Sequence, residues 1–238
     1  MTNQEILTYL NQNRLMNIDM IEAIRRGRAE VLYAAPDAVL LFTRGWLHLL
    51  ACDTLEAGKA ALAHCKQPLD GIVAHSPVAR DAVWTAHPEY RAHCNACWQG
   101  MYTKKTLLPV EPTCEIRPFP KDRIPFILTH YGTVNDPRYF EERIESGEMF
   151  AAYVRENLVG FIGFHDDGSM GMLEVLPEYR HLHIGSALES YLLNESLLRG
   201  WTPYCQIFVG NIPSVRLQRR LGLIVSEEEL YWMHGERE

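Results

Sequence analysis

The stretch "GMLEVLPEYRHLHIGSALES", residues 171–190, constrains this chain more than any other. The apolar run "SMGMLEVL" reads as a strand, and Pro177 ends it because proline cannot donate to a sheet ladder. Seven residues later a long helix is expected from about Ile184 to Arg199, with Ile184, Leu188, Tyr191, Leu192 and Leu198 on one apolar stripe. A strand that feeds a helix through a short glycine-bearing loop commits the chain to a mixed α/β architecture. It also places a ready anion site, because the first turn of a helix leaves backbone N–H groups unpaired and carries partial positive charge. Gly185 lets the main chain approach a phosphate or pyrophosphate closely, Arg180 adds a fixed charge, and His181 and His183 add more when protonated.

The rest of the chain arranges itself around that junction in two similar halves. "TNQEILTYL" carries a capping box, Thr2 with Glu5, and "NIDMIEAIRRG" is a second helix stopped at Gly27. Strands follow at "AEVLYAA", "AVLLFT" and "WLHLLA", the last two joined by an Arg44-Gly45 turn. Next come a helix "TLEAGKAALAHC", a strand "DGIVAHS", a helix "PVARDAVWTAH" and strand-like material through "CWQGMYTKK". After the connector "LLPVEPTCEIRPFPKD" the order returns: a strand, two helices, strands "MFAAYVRE" and "LVGFIGFHD" around a Glu156-Asn157 turn, and the strand–loop–helix junction above. A strand "PYCQIFV", a short helix "PSVRLQRRLG" and two last strand pieces, "LIVS" and "ELYWM", close the sequence. The expected fold is α/β (α+β) in two domains, 1–110 and 111–238, each a mixed, mostly antiparallel sheet flanked by helices.

Composition narrows the function. A formal charge of −7 argues against a nucleic-acid partner, which would normally meet a basic face. No run approaches a membrane span, and "MTNQEILTYLNQNR" reads without a signal peptide, so a cytoplasmic protein with no membrane partner is expected. Six cysteines in that setting are expected as reduced thiols. The pair in "HCNAC", Cys94 and Cys97, has only His64 and Cys65 to complete a zinc set, so no metal is expected.

"VLPEYRHLHIGSAL" resembles the coenzyme A loop of the GNAT superfamily, the acyl-CoA-dependent N-acyltransferases, whose motif is Gln/Arg-x-x-Gly-x-Gly/Ala. Arg180 and Gly185 match it, and His183 replaces the first glycine, a position where histidine tolerates a positive φ better than a branched residue does. "NIPSVRLQRRLGL" is similar to the family's Asn-x-x-Ser/Ala-x-x-Leu-x-x-x-Leu-Gly-Phe segment, and the resemblance covers about residues 114–233, nearest to the glycine N-acyltransferase branch with its "LPEYR" phrase. It implies acetyl-CoA or coenzyme A as cosubstrate. The residues it implies for binding are Arg180, His181, Leu182, His183, Ile184, Gly185 and Ser186 around the phosphates, Val175 and Leu176 main-chain atoms along the pantetheine, and Asn211 with Ser214 further on. The first half reads as a degenerate GNAT-like domain, with Asp53 and Glu56 at the corresponding junction, where a pyrophosphate would be repelled.

The implied reaction moves an acyl group, usually acetyl, to the amine of a small molecule or amino acid. It requires a base for the amine and an aligned thioester. Glu174 is the first candidate base, a lone carboxylate in a run suited to burial, which would tune it toward neutrality. Strand alternation sets it with Met170, Met172 and Leu176, opposite Leu173 and Val175. His165 is the second candidate. The glycine-conjugating branch's glutamate aligns with Ser169 here, and the superfamily's tyrosine acid aligns with Gln218, so Tyr231, a water or unaided thiolate departure would have to serve. Two other readings stay open: a non-catalytic coenzyme A-binding regulatory module, and an interaction protein on a degenerate acyltransferase fold. The chain could also pair as a homodimer.

Overall fold

The first hairpin shows how local rules build this molecule. In the computed structural model, which describes residues 1–234, Ala29–Ala35 (β1) pairs antiparallel with Ala38–Thr43 (β2), and β2 with Leu47–Cys52 (β3). Arg44 and Gly45 make the turn at φ 59° and 77°, as the sequence predicts. Two helices precede them, Asn3–Leu10 (α1) and Ile18–Arg25 (α2). The capping box of α1 forms, with Thr2 N–H donating to the Glu5 carboxylate at 2.7 Å and the Thr2 hydroxyl accepting from Glu5 N–H. After β3 come Leu55–Leu62 (α3), Gly71–Ala74 (β4), Pro77–Ala86 (α4) and Cys94–Met101 (β5).

The second run consists of Glu115–Pro118 (β6), Ile124–His130 (α5), Pro137–Glu145 (α6), Met149–Val154 (β7), Asn157–Phe164 (β8), Met170–Val175 (β9) and Ile184–Leu198 (α7). Tyr204–Phe208 (β10), Ile212–Arg220 (α8) and Ile224–His234 (β11) end it. Three expectations shift. The β7–β8 turn sits one residue early, at Arg155 and Glu156, both at positive φ, so that Val154 pairs with Asn157. "LIVS" and "ELYWM" are one strand, β11, interrupted by a bulge between Val225 and Glu229 where the Ser226 hydroxyl accepts from Gln99 N–H at 2.9 Å. Leu198, expected on the buried stripe of α7, is 69% exposed, whereas Ile184, Leu188 and Leu192 are buried with Leu193.

Strand pairing does not follow the two-half division. One sheet runs β1-β2-β3-β4-β11-β5-β10 and the other β6-β7-β8-β9. The last strand, β11, enters antiparallel between β4 and β5. The chain therefore groups as Met1–Met101 with Gln206–Glu238, and as Tyr102–Cys205, rather than at 110/111. Periodicity reports that a strand exists but not which neighbour it selects.

In the first unit both faces of the sheet are covered, and β2 and β3 are almost uniformly buried as a result. Leu40, Leu50, Ile72 and Ala74 pack with Ala61, Ala82 and Val83 of α3 and α4. Val39, Leu41, Leu49 and Val73 pack with Ile6, Leu10, Met20 and Ile21 of α1 and α2. In the second unit Phe161, Met172, Met149 and Ala151 form a core with Ile127 of α5 and Phe140 of α6, while α7 packs on β8 and β9.

Candidate active site

The strand that leads into the junction is not regular. Phe161 of β8 lies opposite Glu174, but Gly163 lies opposite Gly171, so β9 carries one residue more than its partner. Met172 absorbs the excess at φ 53°, which makes a β-bulge. A Cβ on Gly160, across the ladder, would stand 2.6 Å from the Glu174 carbonyl oxygen, so only glycine allows this approach. The bulge also corrects the expected alternation. Met172 turns into the α5/α6 core, and Glu174 shares that face, opposite Phe161. Met170 pairs with Phe164, whose ring packs on Trp201, and so separates from Glu174. β9 is the terminal strand of its sheet, with β8 on one side and no ladder partner on the other among the described residues.

Beyond Leu176 the chain makes one 3-10 turn at Pro177–Tyr179 and then passes through two left-handed residues, His181 at φ 64° and His183 at φ 62°. Both histidines, and Leu182 between them, are exposed. Ile184 is buried and seats the first turn of α7, and the first helical bond runs from Ala187 N–H to the His183 carbonyl at 3.0 Å. His183, the N-cap, offers no side-chain acceptor to the helix, and its Nδ1 lies 3.7 Å from a Glu111 carboxylate oxygen. By contrast Thr2, Thr54, Ser76, Asp136 and Asn211 cap α1, α3, α4, α6 and α8 with their own oxygens. A Cβ built on Gly185 would meet only Leu173 and Val175, both at 3.9 Å, so packing alone does not demand a glycine there. The half-exposed Gly185 and Ser186 thus present an open helix start.

Arg180 and Glu174 meet. The Arg180 Nε donates to the Val175 carbonyl at 3.0 Å, and its Nη2 donates to a Glu174 carboxylate oxygen at 3.0 Å. Glu174 is therefore not the buried, lone carboxylate the sequence suggested. Its side chain is 25% exposed and ion-paired. On the same face Tyr131, just past α5, packs edge-on against Phe161 at 6.2 Å. Burial raises the Tyr131 phenol above its ordinary value and the Glu174 charge adds to this, against the hydrogen bond from Thr133. Glu174 accordingly has a phenol that keeps its proton as a neighbour.

His165 follows β8, its ring packs over Gly171, and its Nδ1 lies 2.9 Å from the Tyr139 hydroxyl of α6. Gly171 and Glu174 pair with Gly163 and Phe161 of β8, two residues apart on that strand and about 7 Å at strand rise, so His165 covers the ladder position next to that of Glu174. Ser169 is buried and donates to Asp167 at 2.6 Å in a local turn.

The remaining site candidates fall in the first unit. Asn211 is the N-cap of α8, its side-chain oxygen accepting from Ser214 N–H at 3.2 Å. Gln218 is buried. Tyr231 lies in the α3/α4 core with Arg80 4.7 Å over its ring, and burial raises its phenol. Burial also pushes the Cys97 thiol up to about 12. Among the described residues no group of three or more His, Cys, Asp or Glu is assembled as a metal site, and no helix is long and apolar enough to cross a membrane. Tyr131, Tyr139 and the bulge escaped the sequence reading. Gly171 inside a strand was the one available signal for the bulge.

Comparison with known proteins bears on the family and the fold. Residues 117–223 match the model of the acetyltransferase (GNAT) family. A Drosophila protein of solved structure superposes with a TM-score of 0.70 at 14% identity, over 97% of this chain and 95% of its own. A GCN5-related N-acetyltransferase from Kribbella flavida gives 0.59 at 11% identity, over 94% and 95%. Another from Sphaerobacter thermophilus gives 0.55 at 14%, over 94% and 91%. No curated protein matches the chain in sequence. The family model's match is to the GNAT acetyltransferase family over residues 117–223, and the solved structures share the fold, a mixed α/β one with sheets flanked by helices. The glycine N-acyltransferase branch has no such support.

Proposed function

We propose that this protein transfers an acyl group, in the simplest case acetyl, from a coenzyme A thioester to the amine of a small molecule or amino acid. The observation that carries the reading is the start of α7: the chain's longest helix, uncapped by any side chain, entered from a bulged edge strand, with Gly185 open above its first donors. Backbone N–H groups from Leu182 to Ser186 would hold the pyrophosphate, and the free edge of β9 at Val175 and Leu176 would align the pantetheine.

Glu174 is the base in this reading. It takes the proton of the amine as nitrogen attacks the thioester carbonyl, the C–N bond forms and the C–S bond breaks. Gln218 cannot protonate the departing sulfur, which leaves as a thiolate or takes a proton from water. His165, which follows β8 and meets the Tyr139 hydroxyl, is given the acceptor side in this reading rather than the thioester. The first half binds no coenzyme in this account.

Free-thiol release from acetyl-CoA across a panel of small amines and amino acids tests it. Amine-dependent release, lowered at least tenfold in Glu174→Gln, is expected. A second reading, a coenzyme A-binding regulatory module, is favoured by the Arg180 grip on Glu174. It would be supported by coenzyme binding with no turnover across the panel.

A further inference from the structure

One side chain touches both the phosphate side and the amine side of this site. Arg180 matches the phosphate-binding arginine of the loop, yet its guanidinium lies on the Glu174 carboxylate and the Val175 carbonyl, each at 3.0 Å. Those two acceptors are what the proposed reaction needs free, the first for the amine proton and the second for a pantetheine amide. The Nε and Nη2 edge that now holds these two acceptors is the edge a bidentate phosphate contact would take. The Arg180 side chain is 53% exposed and Glu174 is 25% exposed, so the pair is of the weak, water-screened kind. A pyrophosphate on the first turn of α7 offers more negative charge and bidentate oxygens, the partner guanidinium groups prefer.

We propose that Arg180 is a coenzyme-displaced strap that keeps Glu174 occupied until the nucleotide arrives. Resting on the proposed acyltransfer, this gives the site an order. The phosphates draw Arg180 away from β9, the Val175 carbonyl becomes available to the pantetheine, and Glu174 becomes an unpaired carboxylate beside Tyr131. An amine that arrives first finds its base engaged and its thioester missing. No bond is made or broken in the exchange; one ion pair replaces another. Arg180 acts on turnover through Glu174 and is in that respect a positioning residue.

The strap predicts an effect that a structural ion pair would not produce: removing the carboxylate's charge should improve coenzyme binding. Calorimetric titration of coenzyme A into the full-length wild type, Glu174→Gln, Arg180→Gln and the double variant reads it, with thermal melts establishing that each is folded. Glu174→Gln is expected to bind roughly two- to fivefold more tightly, the most that a screened pair can release, while its turnover falls. Arg180→Gln should bind more weakly, and adding Glu174→Gln to it should then change nothing, because the carboxylate competes only for that guanidinium. Unchanged or weaker binding by Glu174→Gln, or the same gain from it in the Arg180→Gln background, would overturn the strap and leave the acyltransferase reading intact. Wild type that binds no coenzyme A at all would overturn both.

Discussion

The helix α3 after β3 and the helix α7 after β9 occupy the same place in the order of elements, and nearly every local detail differs. Thr54 caps α3, its hydroxyl accepting from Ala57 N–H at 3.1 Å, and Glu56 adds an acid to the first turn. The Asp53 carboxylate accepts from the Tyr9 hydroxyl at 2.9 Å. The Ala57 N–H at the start of α3 thus has a side-chain partner, with acidic neighbours beside it, whereas α7 starts on a left-handed histidine with no side-chain acceptor. The glycines contrast in the same way. A Cβ on Gly58 would stand 2.6 Å from Ala82 and 2.9 Å from the Cys52 sulfur, so it is there for helix packing, whereas Gly185 has room above it. The strands repeat the lesson. β3 is zipped to β4 in parallel from Leu47–Gly71 to Leu50–Ala74, while β9 ends its sheet. One junction is closed on itself and the other is left to be completed.

A buried charge pair holds the closed junction. His75 N–H and its Nδ1 both face the Leu50 carbonyl, at 3.0 and 3.1 Å, and Nε2 faces both Asp19 oxygens at 2.9 Å. With acceptors at both ring nitrogens, His75 must carry two protons. Burial opposes that charge, but Asp19 and the two hydrogen bonds outweigh it and raise the group above its ordinary 6.5. Gln206 also donates to Asp19, at 3.2 Å, and accepts from Trp232, tying β10 and β11 into the cluster. The largest expected effect is therefore Asp19→Asn, which strips the buried imidazolium of its counter-charge and should cost about 3–5 kcal/mol, read by denaturant melts. The pair's contribution should be complete below pH 6.5, where the unfolded histidine is protonated too, and should fade as pH rises toward the raised folded value. Melts across pH should show that decline in wild type and a flatter profile in Asp19→Asn.

The two glycines sharpen the contrast next. Gly58→Val should destabilise by about 1–3 kcal/mol through overpacking and leave the affinity of the folded fraction for coenzyme A unchanged. Gly185→Val should do the reverse: stability within about 1 kcal/mol of wild type, and coenzyme A affinity down at least tenfold, because its Cβ, 3.9 Å from Leu173 and Val175, narrows the space between the first turn and β9 where the coenzyme would run. Calorimetry and melts on both variants check the pair. Smallest is His183→Gly, which removes left-handed strain worth about 1 kcal/mol but adds freedom to the unfolded chain. Its melting temperature should not fall, and its coenzyme affinity should stay within about threefold, since the donors are backbone.

The junction itself was legible because its signals are local: Pro177 stops a strand, Ile184 starts a buried stripe, and Gly185 sits between them. Most elements were visible for the same reason, through the capping box at Thr2 and Glu5 and the turn at Arg44-Gly45. Two things were not. β11 chooses β4 and β5 as neighbours, and that choice depends on which edges are open in three dimensions, which no period of two can report. Glu174 looked lone in "GMLEVL" because its partner, Arg180, reaches it only after a turn through Pro177–Tyr179, and because the bulge at Met172 rearranges the faces on which alternation was counted.

The central claim is that α7, and not α3, receives the phosphates. Titration of coenzyme A into ¹⁵N-labelled protein, followed amide by amide, reads both helix starts in one sample. Saturating shifts at Ile184 to Ala187, with Leu55 to Ala57 unmoved and one coenzyme bound per chain, are predicted. Shifts centred on Leu55 to Ala57, or no shifts at the start of α7 when coenzyme saturates, would contradict the account.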